Sequence, residues 1–298
     1  MKRDALLATV NYTQHLRIPA TRLHYPESEP RASGACGEVW YGYLVESDGL
    51  HPVDIKRIRP RVEDGSSSYG LLKDLLGEVM PWHQLNHRNI SRFIGFTFDN
   101  DQATLVSEWQ HHGNIMNFLR GYPDVNRLEM IAQVAEALAY LHERSCPLIH
   151  GDMKPENVLV SREGIVKLTD FGISTFLSQH PASPDLRTAH PFRGTLRYAD
   201  PVLLGDNPKP TVFTDLWAFG WLIFGILTGL RPYHHIQSEH TVNLAIMQYD
   251  VPCSSDHPIL PYGDIIWPIL RASWSRSNSM RWPASCIASH IRQNLSYS

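Results

Sequence analysis

Cysteine is scarce. The 298-residue sequence holds four (Cys36, Cys146, Cys253 and Cys286), scattered and without the paired spacing of a metal site. That argues against a zinc module or a disulfide framework and favours reduced thiols in a cytosolic or nuclear protein, so the cytoplasm is the expected location. Charge of one sign is missing too. Lys+Arg number 27 against 30 Asp+Glu, a formal net charge of −3, which offers no basic surface to nucleic acid. No apolar run is long enough for a bilayer. The most apolar stretch, "LWAFGWLIFGILTGL" (Leu216 to Leu230), falls short of the roughly 20 residues a span needs. Asp215 and Arg231 flank it, and it is expected as a helix buried inside a domain. "MKRDALLATV" starts basic, but its apolar run is too short for a secretory signal. There is no internal repeat and no low-complexity tract. A monomer without membrane contact is expected.

What is present is enough apolar residue, 43% of the chain, for one large domain or two lobes with real cores. Residues 1–30 are polar and irregular and read as an N-terminal extension. From Glu38 the pattern becomes strand-like: "EVWYGYLV", "HPVDIKRI", and later "SRFIGFTF" and "ATLVSEW". Between them "YGLLKDLLGEVMPWHQL" places Leu72, Leu75, Leu76 and Val79 on one helical face. Residues 31–110 therefore read as a small sheet with one helix. After Gly113 the period changes. "NRLEMIAQVAEALAYLHER" is helical, and residues 111–298 read as a larger, mostly helical lobe. The segment from Ser174 to Arg193 is long and aperiodic, and is expected to be a mobile loop.

The chemistry is concentrated in short motifs. "IHGDMKPENVLV" (Ile149 to Val160) sets Asp152, Lys154 and Asn157 between apolar anchors, and Pro155 keeps the segment out of a helix interior. Upstream lie "ASGACGEV", with Gly34 and Gly37 just before a strand, "VDIK" with Lys56, and Glu78 in the following helix. Downstream, after the hairpin "ENVLVSREGIVKLTD", comes "DFG" (Asp170 to Gly172). In this order and spacing the chain resembles a eukaryotic protein kinase over nearly its whole length. "LNHRNISRFIGF" and "TDLWAFGWLIFGILTGLRPY" resemble the tyrosine-kinase-like group, in a form familiar from fungal members.

The resemblance implies an α+β, bilobal protein kinase fold and an enzyme that uses ATP and Mg²⁺ on protein substrates. Phosphoryl transfer is mostly positioning and neutralisation of oxygen charge. Asp152 would accept or orient the proton of the attacking hydroxyl, and Lys154 would offset γ-phosphate charge. Asn157 and Asp170 would be the oxygen ligands of the metal. Lys56 would hold the α/β-phosphates while Glu78 holds Lys56. Backbone around Ala32, Gly34 and Gly37 would cover the phosphates. Val39 and Leu159 complete the nucleotide contacts, with adenine on the backbone of Glu108 and Gln110. Lys154, and Thr195 in "RGTLRY", resemble the serine/threonine pattern.

Several positions depart from the family. Gly151 stands where many kinases carry an arginine that grips an activation-loop phosphate. Ala32 replaces the first glycine of the phosphate loop, and Asp54 an alanine. Val202 replaces the glutamate of an "APE" motif, whose arginine partner resembles Arg281 here; Asp200 is near enough in sequence to substitute. The alternative to an active kinase is a pseudokinase, a nucleotide-binding or scaffolding module, and Asp54 and Val202 favour it. Asp54 and Lys56 share a strand face. Asp54 is therefore expected to rival Glu78 for Lys56, to be protonated, or to sit solvated at the cleft edge.

Overall fold

The alternating segments form a hairpin of β3 (Gly37–Glu46) and β4 (Gly49–Ile58). In the computed structural model of the protein, the described residues are 2–34, 37–59, 68–99, 102–172, 174–176, 194–206, 208–252 and 262–295. Antiparallel pairing sets Val39 opposite Lys56, Trp40 opposite Ile55 and Tyr41 opposite Asp54. Directly paired residues share a face of the sheet. One face of the hairpin thus carries Trp40, Val53 and Ile55, all buried. The other carries Val39, Tyr41, Asp54 and Lys56.

With β1 (Leu23–His24), β2 (Ala32–Gly34), β5 (Phe93–Asp99) and β6 (Gln102–Glu108), the sheet runs β1-β3-β4-β6-β5, and β2 pairs with β3. Helix α2 (Ser68–Trp82) covers one side. Its Leu71, Leu75 and Val79 pack on Phe96, Ala103 and Leu105, close to the face its sequence period indicated.

The reading of residues 1–30 as irregular is corrected. They contain α1 (Lys2–Thr13) and strand β1, and Ile18, Leu23 and Tyr25 cover the sheet face formed by Trp40, Leu44, Val53, Ile55 and Val106. The Ile18 N–H donates to the Phe96 carbonyl at 2.8 Å. Gly95 permits the approach, because a Cβ there would lie 2.5 Å from the Leu16 carbonyl oxygen. Few apolar residues make these contacts, so the segment has no marked period. Its order comes from tertiary packing, which propensity does not report.

The helical lobe holds α3 (Ile115–Gly121), α4 (Arg127–His142), α5 (Val212–Thr228), α6 (Glu239–Met247), α7 (Gly263–Ser273) and α8 (Ala284–Leu295). α5 is the expected buried helix. A Thr211/Thr214 capping box starts it, and Gly229 ends it in the left-handed region at φ 76°. Among the described residues no helix is long and apolar enough to cross a membrane.

Short strands frame the loops between the lobes: β7 (Leu148–Ile149), β8 (Val158–Val160), β9 (Val166–Leu168) and β10 (Thr175–Phe176). β8 pairs with β9, and β10 with β7. Of the segment read as a mobile loop, residues 177–193 lie outside the described residues.

Candidate active site

Three elements converge on Lys56. From β4, its Nζ donates to Glu78 Oε1 of α2 at 2.8 Å and to Asp170 Oδ1, two residues after β9, at 2.7 Å. Burial works against the charge on both Lys56 and Asp170. The attraction between opposite charges prevails, holding the Asp170 carboxyl down at about 2 and raising Lys56 above its ordinary value. Asp170 has φ 63°, a left-handed conformation rare for a residue with a side chain. Lys56 and the Gly172 N–H, 3.3 Å from Asp170 Oδ1, hold it there. Gly172 packs closely, since a Cβ on it would stand 2.9 Å from Glu78 Oε2.

The second cluster is built on Asp152. Its Oδ1 accepts from the Thr195 N–H at 3.0 Å and the Thr195 hydroxyl at 2.9 Å. Its Oδ2 pairs with Lys154 Nζ at 2.6 Å, and Lys154 Nζ also reaches Thr195 Oγ1 at 3.0 Å. Asn157 Nδ2 donates to the Asp152 carbonyl and to Oδ2, at 2.8 and 3.2 Å. The Thr169 N–H donates to the Asn157 carbonyl at 3.0 Å, which ties the Asp170 segment to the Asp152 loop.

These side chains suit the groups expected of them. With the Asn157 amide nitrogen spent on Asp152, its side-chain carbonyl oxygen and the Asp170 carboxylate would offer hard oxygen donors of the kind a divalent cation takes. Lys56 and Lys154 would supply positive charge for phosphate oxygens.

Beneath the loop lies a residue that sequence reading passed over. Asp215 of α5, 1% exposed, accepts from the backbone N–H groups of His150 and Gly151 at 2.8 and 2.9 Å and meets His142 Nε2 at 2.9 Å. Gly151 takes φ 84°, which glycine adopts without steric cost. The signal for Asp215 was an acid at the head of the most apolar segment in the chain.

The phosphate-loop residues fall on β2 and β3, with Ala32 opposite Val39 and Gly34 opposite Gly37. Residues 35 and 36 lie outside the described residues. Gly37 is required as glycine: φ is 152°, and a Cβ would meet the Arg57 carbonyl oxygen at 2.1 Å.

The connection between lobes begins at Glu108. Its carboxylate holds Lys167 of β9 at 3.1 Å and the Arg92 N–H at 3.0 Å. Its carbonyl accepts from Nε2 of the buried Gln110 at 3.3 Å. The half-buried Leu159 lies on β8, whose neighbour Val160 exchanges backbone hydrogen bonds with His112 and Gly113.

Two expectations for Asp54 are corrected. It does not rival Glu78 for Lys56, which is committed to Glu78 and Asp170. It is not a solvated edge residue either. Half-buried opposite Tyr41 and Ser107, its carboxyl is pushed up to about 7 by desolvation, against the opposing pull of the Gln110 backbone and of Arg31. Strand alternation gave the face; the depth came from the aromatic wall of Tyr41 and Trp109, rings 4.6 Å apart, over which Arg31 lies.

A protein-family profile described as "protein kinase domain" matches residues 32–278. The chain belongs to the protein kinase family. The bilobal arrangement of sheet and helices is that of the protein kinase fold. Similar proteins include MAP3K epsilon protein kinase 1 of Brassica napus, 27% identical over 266 residues, covering 86% of this chain and 19% of that protein. An Aurora kinase of Debaryomyces hansenii is 34% identical over 174 residues, 57% of this chain and 40% of that protein. Mouse Aurora kinase C is 29% identical over 247 residues, 80% of this chain and 84% of that protein. The kinase chain thus spans under half the length of the first two relatives. MAP3K, Aurora and receptor-like kinases are all among the matches, so the kinase group is not singled out.

Proposed function

We propose that the chain is an ATP-dependent protein kinase that transfers the γ-phosphoryl group to serine or threonine hydroxyls of protein substrates. The observation that carries this reading is the Lys56 bridge between Glu78 and Asp170, which sets the phosphate-binding lysine and the metal-binding carboxylate in mutual register. Asp152 orients the substrate hydroxyl and takes its proton as the oxygen attacks phosphorus, while ADP leaves. Lys154 lies on Asp152 and neutralises charge on the transferred group. Thr195 fixes both, which supports the serine/threonine assignment. Asn157 and Asp170 would hold Mg²⁺, whose role when bound is to offset phosphate oxygen charge. Ala32, Gly34 and Gly37 would cover the phosphates, and Val39, Leu159, Glu108 and Gln110 would take the base.

The pseudokinase alternative is not favoured, since each residue assigned to phosphate, metal or base stands in a bonded position. Further parts of the proposal are membership of the tyrosine-kinase-like group, the division into 1–30, 31–110 and 111–298, a monomeric state and a cytoplasmic location. The test is phosphate transfer from labelled ATP with Mg²⁺ to mixed peptide pools containing serine, threonine or tyrosine. Labelling of serine and threonine pools, lost in Asp152→Asn, is expected. Transfer to tyrosine pools alone would refute the hydroxyl assignment, and no transfer to any pool would refute the enzyme.

A further inference from the structure

Helix α2 carries Glu78, yet its own sequence supports it poorly. Gly70, Gly77 and Pro81 lie inside Ser68–Trp82. Glycine is a weak helix former, and proline brings no N–H to the helix. Where α2 sits must therefore be set by packing. Lys56 does not set it, because Asp170 holds the lysine at 2.7 Å without help from Glu78.

The packing comes in part from residues 12–18. Arg17 Nη2 donates to the Phe98 carbonyl and to Asp99 Oδ1, both at 2.7 Å. With the Ile18 N–H on the Phe96 carbonyl at 2.8 Å, this step of the chain is tied to β5. Leu16, half-buried just before it, packs against the apolar cluster in which Leu75 and Val79 of α2 meet Phe96 of β5. Four residues earlier, Tyr12 of α1 sets its ring edge-on to His83, centroids 5.8 Å apart at 73°. His83 follows the last residue of α2, and its Nδ1 meets the Val79 carbonyl at 2.9 Å. Between the two contacts Thr13 is fully buried, its hydroxyl donating to the Thr9 carbonyl at 2.9 Å. Both contacts converge on Val79, the neighbour of Glu78. A shift of α2 that drew Glu78 off Lys56 would break them. Resting on the kinase reading, we infer that Tyr12 and Leu16 are positioning residues, which brace α2 against β5 and so keep Glu78 on Lys56.

The test follows Lys56 directly. Its amine is acylated by an amine-reactive reagent without nucleotide, and the rate is read by mass spectrometry, with the exposed Lys209 as control. The proteins are the parent, Leu16→Ala, Tyr12→Ala, Tyr12→Phe and Glu78→Gln, and the two alanine variants combined with Glu78→Gln. Transfer to serine and threonine peptide pools is measured alongside, well below the unfolding temperature of each. Leu16→Ala and Tyr12→Ala are expected to raise Lys56 labelling toward the rate in Glu78→Gln, with Lys209 unchanged. They should lower kcat/KM for ATP by about tenfold, as misplacement of a catalytic group does. Tyr12→Phe keeps the ring and should match the parent. In the Glu78→Gln background neither alanine should raise labelling further. Tyr12 is 51% exposed, so Tyr12→Ala spares the core and decides the matter if Leu16→Ala fails to fold. Lys56 labelling that stays at the parent rate in a folded variant, or that rises with no loss of transfer, overturns the inference and leaves the kinase reading standing. Absence of transfer by the parent to any pool overturns the kinase reading and the inference with it.

Discussion

Asp200 and Arg281, eighty-one residues apart in sequence, form an ion pair with side chains only 2% and 3% exposed. Arg281 also donates to the Phe213 carbonyl at 2.8 Å and the Ser275 carbonyl at 2.9 Å. The family's glutamate position holds Val202, which is 54% exposed and contributes its backbone N–H, donated to Asp200 Oδ1 at 3.0 Å. The arginine has kept its buried anion by drawing it from two residues earlier in the chain.

Removing that anion should leave a buried, uncompensated guanidinium. Asp200→Asn is expected to cost about 3–5 kcal/mol in urea unfolding. Val202→Glu should change stability by less than about 0.5 kcal/mol, because the arginine is already paired and position 202 faces solvent. A large gain from Val202→Glu would show that Asp200 is a poor substitute.

Asp152 and Asp170 should separate by function. Asp152 is proposed to act on the hydroxyl, so Asp152→Asn is expected to abolish transfer while leaving nucleotide affinity nearly intact. Asp170→Asn loses the proposed cation ligand and the carboxylate partner of Lys56, and should weaken Mg²⁺-nucleotide binding itself. Paired calorimetry and turnover measurements check this; full turnover in both variants would contradict the roles assigned.

Thr195 should matter through position. Its hydroxyl touches Asp152 and Lys154 at once. Thr195→Val keeps the shape and removes both contacts, so kcat should fall by about 10²-fold with little change in KM for ATP. Thr195→Ser restores the hydroxyl and should recover most of the rate. A Ser variant as slow as the Val variant would mean that packing, not the hydrogen bonds, is what Thr195 supplies.

Asp54 gives stability a defined pH dependence. Its carboxyl is raised from 3.8 to about 7 in the fold. Between those values the folded protein keeps a proton that the unfolded chain has lost. This group's contribution is thus fully present below about pH 4 and declines as pH rises to about 7. Asp54→Asn, which carries no charge, should gain on the parent across that window, by more than about 1 kcal/mol at pH 7.5 after allowance for partial exposure. Denaturant unfolding at pH 4.5 and 7.5 measures the difference. A constant gap would show that Asp54 titrates normally.

Periodicity and motif spacing established much of this molecule. Alternation gave β3 to β6, the 3.6-residue period gave α2 and α4, and the apolar run gave α5, because each pattern is dictated by local backbone geometry. The residues assigned to catalysis were legible for the same reason: Asp152, Lys154 and Asn157 lie within a few positions of one another. Contacts between distant segments were not legible. Packing of residues 1–30 on the sheet depends on Gly95 admitting the chain, and Asp215 works by folding α5 under a loop more than sixty residues upstream. Asp54 shows the division most clearly. Strand alternation named the face on which it lies. Whether that face met lysine, open solvent or a desolvated niche was decided by where β3, β6 and the lobe connection close around it, since desolvation is a property of the assembled surroundings and not of the strand.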